Sequence, residues 1–185
     1  TAFDEASSEA RIDPMTGIAN RRGWEESILA AERSLMHTSG RHFAVVMADM
    51  DNLKRTNDTL GHQAGDDLIR EAARMLVAAA PPGALVARIG GDEFGVLMES
   101  GSPADGDDMI AALRRAVAAR GADDQMSISL GTASCPPCLT VGGAAAIADD
   151  AAARDKASRR AGRDDRQEPA PSDSGSTRVT SPSGI

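Results

Sequence analysis

The sequence predicts an α+β domain in which helices pack on a mostly antiparallel sheet. Three features carry that prediction. Two short apolar runs, residues 84–89 and 94–98, flank Gly90-Gly91 and read as a β-hairpin. Residues 43–48 form a continuous apolar run of strand length, as a central strand covered on both faces requires. Apolar residues at helical spacing lie between these strands, so the order reads helix, strand, helix, hairpin, helix, strand, helix.

Residues 1–12 are polar with weak helical character. Asp13-Pro14-Met15-Thr16-Gly17 then turns into a helix, with Asn20 as a candidate cap. Trp24, Ile28, Ala31 and Leu35 share one face of it. The 43–48 strand ends in Asp49-Met50-Asp51, which puts carboxylates at the end of a rigid element. Residues 52–67 are polar with neither a helical nor a strand period. Asp66 opens a helix that turns Leu68, Ile69, Ala72, Met75, Leu76 and Ala79 inward, and Pro81-Pro82-Gly83 stops it.

In the hairpin, the two glycines are expected to supply the positive φ of a tight turn. Asp92 and Glu93 follow them, and two adjacent carboxylates at a hairpin tip repel each other unless a cation sits nearby. Residues 105–120 form a helix with a Met109, Ile110, Leu113, Val117 stripe and Gly121 as C-cap. Residues 126–133 read as a strand, and 142 to about 163 as an Ala-rich helix. From Asp164 the chain is Pro, Ser, Asp and Gly with little that is apolar, as in a disordered tail or linker.

Composition narrows the function. The formal net charge of −8 argues against binding nucleic acid or an anionic membrane surface non-specifically, so an anionic ligand needs a local site or metal ions. Aromatics are only 2%, which also disfavours a nucleic-acid-binding domain. No apolar stretch approaches the roughly 20 residues that span a bilayer, and a cytoplasmic location without direct membrane contact is expected. Cys135-Pro136-Pro137-Cys138 has no second pair with which to complete a structural zinc site, and a plain loop is the favoured reading.

Several stretches together resemble one family. Gly90-Gly91-Asp92-Glu93-Phe94 matches the GGDEF signature. Asp13-Pro14-Met15-Thr16-Gly17-Ile18-Ala19-Asn20-Arg21-Arg22 resembles the DxLTGLxNRR opening of GGDEF domains, with Met15 and Ile18 for the usual leucines. Residues 49–66 resemble D-x-D-x-F-K-x-x-N-D-x-x-G-H-x-x-G-D at every polar position, with Leu53 for Phe. Residues 126–133 resemble the S-x-G-x-A strand. The resemblance covers roughly 13–163, leaving 1–12 as the end of a linker or signalling helix and 164–185 as a tail. It implies a palm-like fold. The chain opens at Thr1 rather than Met and reads as a piece of a longer protein, with a sensory domain expected upstream.

The implied activity is that of a diguanylate cyclase, which joins two GTP into cyclic di-GMP and releases pyrophosphate. By resemblance, Asp49, the Met50 carbonyl, Asp92 and Glu93 hold Mg²⁺ or Mn²⁺, two ions per half-site, and Asp92 is the candidate for accepting the hydroxyl proton. Such chemistry needs charge neutralisation and alignment, and Mg²⁺ takes oxygen ligands. Lys54, the backbone around Leu53 and Lys54, and Gly91 are expected at the nucleotide. Asn57 and Asp66 match the guanine-reading pair: guanine presents N1–H and N2–H₂, which a carboxylate accepts together. In the last helix, anchoring the family pattern on Ala148-Asp149 makes Lys156 and Arg160 the phosphate-binding pair, one turn apart. Anchoring on Gly162-Arg163 makes it Arg159 and Arg163. The family's Leu-Tyr is Ala152-Ala153 here.

A cyclase acting as a homodimer is the leading expectation, since one chain carries one set of motifs and the product joins two nucleotides. The alternative is a catalytically inactive GGDEF module that binds GTP and serves regulation or dimerisation. The family's R-x-x-D product site would fall on Pro81 and Ala84, which lack the guanidinium and the charge, so no such inhibitory site is expected.

Overall fold

The computed structural model describes residues 11–38, 40–121, 126–135 and 140–167, with side chains to residue 161. Its elements are β1 (Ala19–Asn20), α1 (Arg21–His37), β2 (His42–Met50), α2 (Leu53–Leu60), α3 (His62–Ala79), β3 (Leu85–Arg88), β4 (Glu93–Ser100), α4 (Asp105–Ala118), β5 (Ile128–Cys135) and α5 (Val141–Gln167). The five strands form one sheet in the order β1-β3-β4-β2-β5. Only the β1–β3 pair is parallel; β3–β4, β4–β2 and β2–β5 are antiparallel. The expected α+β architecture is therefore the observed one.

Alternation along β2 sorts the core into two layers. Ala44, Val46, Ala48 and Met50 face one side, where they meet Ile69, Ala72 and Leu76 of α3 and Met109 and Leu113 of α4. Phe43, Val45 and Met47 face the other, where Trp24 and Ala31 of α1 and Val141, Ala144, Ala148 and Ala152 of α5 cover them. A strand sealed on both faces must be apolar throughout, which is why residues 43–48 show no polar alternation. The alanines of α5 have a steric cause. A side chain at Gly131 of β5 would overlap the Ala148 carbonyl and the Ala152 amide, so the helix backbone lies almost on the strand. Cys135 is fully buried in this second layer, opposite Phe43. The last helix runs on to Gln167, so the tail expected from Asp164 begins no earlier than 168. Cys138 and residues 168–185 lie outside the described residues.

Two local expectations are corrected. The polar stretch 52–67 is helical: α2 occupies 53–60, and α3 begins at His62 rather than Asp66. Only Thr56 of α2 is buried, so its apolar face is too narrow to create a readable period. Left-handed Asn52 (φ 63°) and Gly61 (φ 86°) bracket this short helix. Among the described residues the positive-φ glycines are Gly17, Gly40, Gly61, Gly83 and Gly121, and Gly90 and Gly91 are not with them. Close approach is found at Gly90 alone, and it is to the Glu93 side chain. A side chain at Gly90 would collide with the Glu93 carboxylate, whereas one at Gly91 would meet nothing within 4 Å.

Candidate active site

The end of β2 and the start of β4 are adjacent strand positions. Asp49 and Glu93 are direct cross-strand partners, so they share a face. That face is the one beneath α5. The Met50 amide donates to the Asp92 carbonyl at 2.9 Å, tying the strand end to the hairpin. Asp49, Glu93, Asp149, Lys156 and Arg160 line one open cavity of about 260 Å³, floored by Met47 and Ala48 and walled by Ala152, Ala153 and Ala157.

The two cations of the cavity come from α5. Lys156 Nζ donates to Asp49 Oδ1 at 2.6 Å, with side chains only 20% and 28% exposed. Burial pushes the Asp49 carboxyl above its usual range, Lys156 pulls it back, and Asp92 and Asp51 push it up again; the net direction is upward. Arg159 is on another face: its Nε donates to Asp155 at 3.0 Å. Asp155 also accepts from the Leu130 amide at 3.0 Å and pairs with Arg114 at 3.1 Å, which pins α5 to β5 and α4. The register that pairs Lys156 with Arg160 is thus the one whose residues line the cavity. Arg163, in the other register, has no described side chain.

The Asp49-x-Asp51 pair divides by function. Asp51 is 8% exposed and accepts the Ser127 and Ser129 hydroxyls, both at 2.7 Å. It is therefore satisfied structurally, and Asp49 alone of the two faces the cavity.

Outside the cavity lining, Met50 ends β2, Gly91 and Asp92 lie in the turn before β4, and Leu53, Lys54, Asn57 and Asp66 lie on α2 and α3. Leu53 and Lys54 sit in the first turn of α2, where Asn52 provides no side-chain cap. First-turn amides have no intrahelical partner, so those of Leu53 and Lys54 are available donors. The Lys54 side chain is exposed. Asn57 is pressed against Gly65, where any side chain would overlap its Oδ1. That Oδ1 is buried without a hydrogen-bond partner among the described residues. Asp66 follows Gly65, is partly exposed and stands 4.0 Å from Arg70.

One residue was not anticipated. Arg88 grips the hairpin turn, donating to the Gly91 carbonyl from Nη2 at 2.7 Å and Nε at 3.3 Å. Its Nη1 reaches Asp13 at 3.4 Å. Asp13 also accepts the Thr16 amide at 2.9 Å and hydroxyl at 2.6 Å. The opening turn of the domain is thus linked to the acidic hairpin through one guanidinium. The available signal was a lone charge inside the apolar run 84–89.

The donor set suits a hard divalent cation. Asp49 and Glu93 offer two carboxylates on one face, and an ammonium already stands beside Asp49 as a cation would. Among the described residues, no three His, Cys, Asp or Glu side chains converge into a self-sufficient metal cluster. No described helix is long and apolar enough to cross a membrane.

Comparison with known proteins agrees with the geometry. Residues 10–162 match the family model described as "Diguanylate cyclase, GGDEF domain". Probable diguanylate cyclase DgcE of Escherichia coli is 38% identical over 94 residues, which are 51% of this chain and 8% of that protein. Diguanylate cyclase DgcP of Pseudomonas aeruginosa is 34% identical over 117 residues, 63% of this chain and 17% of that protein. Cyclic di-GMP phosphodiesterase PdeB of Shewanella oneidensis is 35% identical over 94 residues, 51% of this chain and 10% of that protein. The chain therefore spans less than a fifth of each of these relatives. Among solved structures, the GGDEF domain of DgcB from Caulobacter crescentus, in complex with c-di-GMP, aligns with TM-score 0.71 and 27% identity, covering 83% of this chain and 92% of that one. A sensory box/GGDEF family protein from the same organism aligns with TM-score 0.69 and 35% identity, covering 80% and 99%. Motifs, sheet topology and family match agree: this chain belongs to the GGDEF diguanylate cyclase family.

Proposed function

We propose that the domain is an active diguanylate cyclase that condenses two GTP into cyclic di-GMP with release of two pyrophosphates. The observation that carries this reading is the cavity lined by Asp49 and Glu93 from the sheet and by Lys156 and Arg160 from α5. Asp49, the Met50 carbonyl, Asp92 and Glu93 would hold Mg²⁺ or Mn²⁺, two ions per half-site. When bound, these ions neutralise the triphosphate and acidify the attacking 3′-hydroxyl.

The rest falls to the protein's own groups. Lys156 and Arg160 hold the triphosphate, with Lys54 and the amides of Leu53 and Lys54 as further donors. Gly91 leaves the hairpin backbone open to the nucleotide. Asp66 accepts N1–H and N2–H₂ of guanine, and Asn57 supplies a second polar contact, for which its buried, unpartnered Oδ1 is the supporting observation. Adenine lacks that donor pair and would leave Asp66 unmatched. Asp92 accepts the 3′-hydroxyl proton as the 3′-oxygen attacks the α-phosphorus of the facing GTP and pyrophosphate leaves. The reciprocal step closes the ring.

Each domain supplies one half-site, so two must meet face to face. Specific activity of the purified domain should rise with protein concentration. Constant specific activity across a wide dilution series would contradict the dimeric site.

A second reading is a silent module that binds GTP without turnover. Two observations favour it: Asp49 is already engaged by Lys156, and α5 carries Ala152-Ala153. GTP bound but recovered unchanged in the presence of Mg²⁺ would select it.

A further inference from the structure

We propose that Lys156 is a resident counter-cation that changes partner on binding: it neutralises Asp49 in the domain by itself and gives Asp49 up when a divalent cation takes that carboxylate. The proposal deepens the reading of Asp49 as a metal ligand and rests on it.

Three observations carry it. First, the ammonium lies 2.6 Å from Asp49 Oδ1. A divalent cation bound to Asp49 would then share one small cavity with that ammonium, where the repulsion between them is large. That repulsion favours movement of the lysine. Second, it can move. Ala152, Ala153 and Ala157 line the same cavity and present no bulk against its stem. Lysine carries a point charge on four flexible carbons and changes partners with little loss of geometry. Third, the neighbouring ion pair on α5 is built differently. Asp155 is held by the Leu130 amide, Arg159 and Arg114 together. Asp49 has only the flexible Lys156 among its described partners. The first arrangement is a fixed brace and the second an exchangeable one.

The consequence is coupling. The bare domain binds metal more weakly than its carboxylates allow, because the ammonium competes. Once displaced, Lys156 stands next to Arg160 on the cavity wall and adds a second cation for the triphosphate. Metal and triphosphate then favour each other through one side chain, as linkage requires.

The test measures binding of Mn²⁺ alone, without nucleotide, by electron paramagnetic resonance of the free ion. Lys156→Gln should bind Mn²⁺ about five- to tenfold more tightly than wild type, in the range of ordinary coupling energies. Lys156→Arg keeps the cation and should bind no more tightly than wild type. Lys156→Met repeats the experiment with different packing. Asp49→Asn should weaken binding in every background. If Lys156→Gln and Lys156→Met bind Mn²⁺ as wild type does, or more weakly, while Asp49→Asn still weakens it, the exchange is refuted and the metal assignment stands. If Asp49→Asn leaves Mn²⁺ binding unchanged in all backgrounds, Asp49 is not a metal ligand and both ideas fall.

Discussion

Replacing Arg88 should loosen the acidic hairpin and cost measurable stability. The guanidinium makes one short bond to the Gly91 carbonyl, a longer one to the same atom, and a 3.4 Å pair with Asp13. Arg88 and Asp13 are 14% and 16% exposed, so solvent screens the pair only partly. Hydrogen bonds to charged groups contribute about 1.5–3 kcal/mol each, and the long contacts deserve a strong discount. Arg88→Ala should therefore cost about 2–3 kcal/mol in equilibrium urea unfolding at neutral pH. Arg88→Lys should cost roughly half as much, because one ammonium cannot reproduce a fork that serves two partners. The pH dependence supplies an independent check. Burial pushes the Asp13 carboxyl up, but the Thr16 hydroxyl and amide and then Arg88 outweigh it, leaving the group below its ordinary value. A depressed folded value means stability that is present above the unfolded value, about 3.9, and lost as pH falls through the folded one. Arg88→Ala should shrink that acid-labile component. Unfolding within about 0.5 kcal/mol of wild type, with an unchanged acid limb, would show that the Asp13–Arg88–Gly91 link is incidental.

Asp49 behaves oppositely, since its carboxyl is pushed up and its ionised form is a cost to the folded state. Asp49→Asn should abolish turnover while leaving thermal stability equal or slightly higher, as expected where function opposes stability; a clear drop in the melting temperature would argue for a structural role. Asp66→Ala should erode the preference for GTP over ATP more than it weakens Mn²⁺ binding; retained discrimination in a nucleotide competition assay would move guanine reading elsewhere. Cyclic di-GMP binding should be weak or displaceable by a non-hydrolysable GTP analogue, because Pro81 and Ala84 stand where an R-x-x-D site would need Arg and Asp. Tight calorimetric binding that survives the analogue would reveal a different product site, for which Arg114 and Arg115 are the first residues to replace.

The parts of this molecule that were legible in the sequence are those with a local physical cause. Residues 43–48 are uniformly apolar because α1 and α5 cover one face of β2 while α3 and α4 cover the other. Lys156 and Arg160 were readable as a pair because i and i+4 share a helix face, and both do line one cavity. The illegible parts depend on partners distant in sequence. Arg88 and Asp13 lie 75 residues apart, so neither announces the other. Asp49 and Asp51 look equivalent until Ser127 and Ser129 of the adjoining chain segment claim Asp51. Helix α2 escaped notice because Thr56 is its only buried residue, which leaves no stripe to detect. The glycine pair shows a different ambiguity. Glycine serves both unusual φ and close approach, and composition cannot separate the two. Gly90 has no positive φ, and a side chain there would press on the Glu93 side chain, while Gly91 shows neither feature.

The central claim is that two copies of this cavity, brought face to face, join two GTP, and ³¹P NMR of GTP incubated with Mg²⁺ and the purified domain tests it most directly. The account predicts cyclic di-GMP and pyrophosphate accumulating in a ratio of one to two, with no such signals from Glu93→Gln. Unchanged GTP, GDP with inorganic phosphate, or equal product from Glu93→Gln would contradict it.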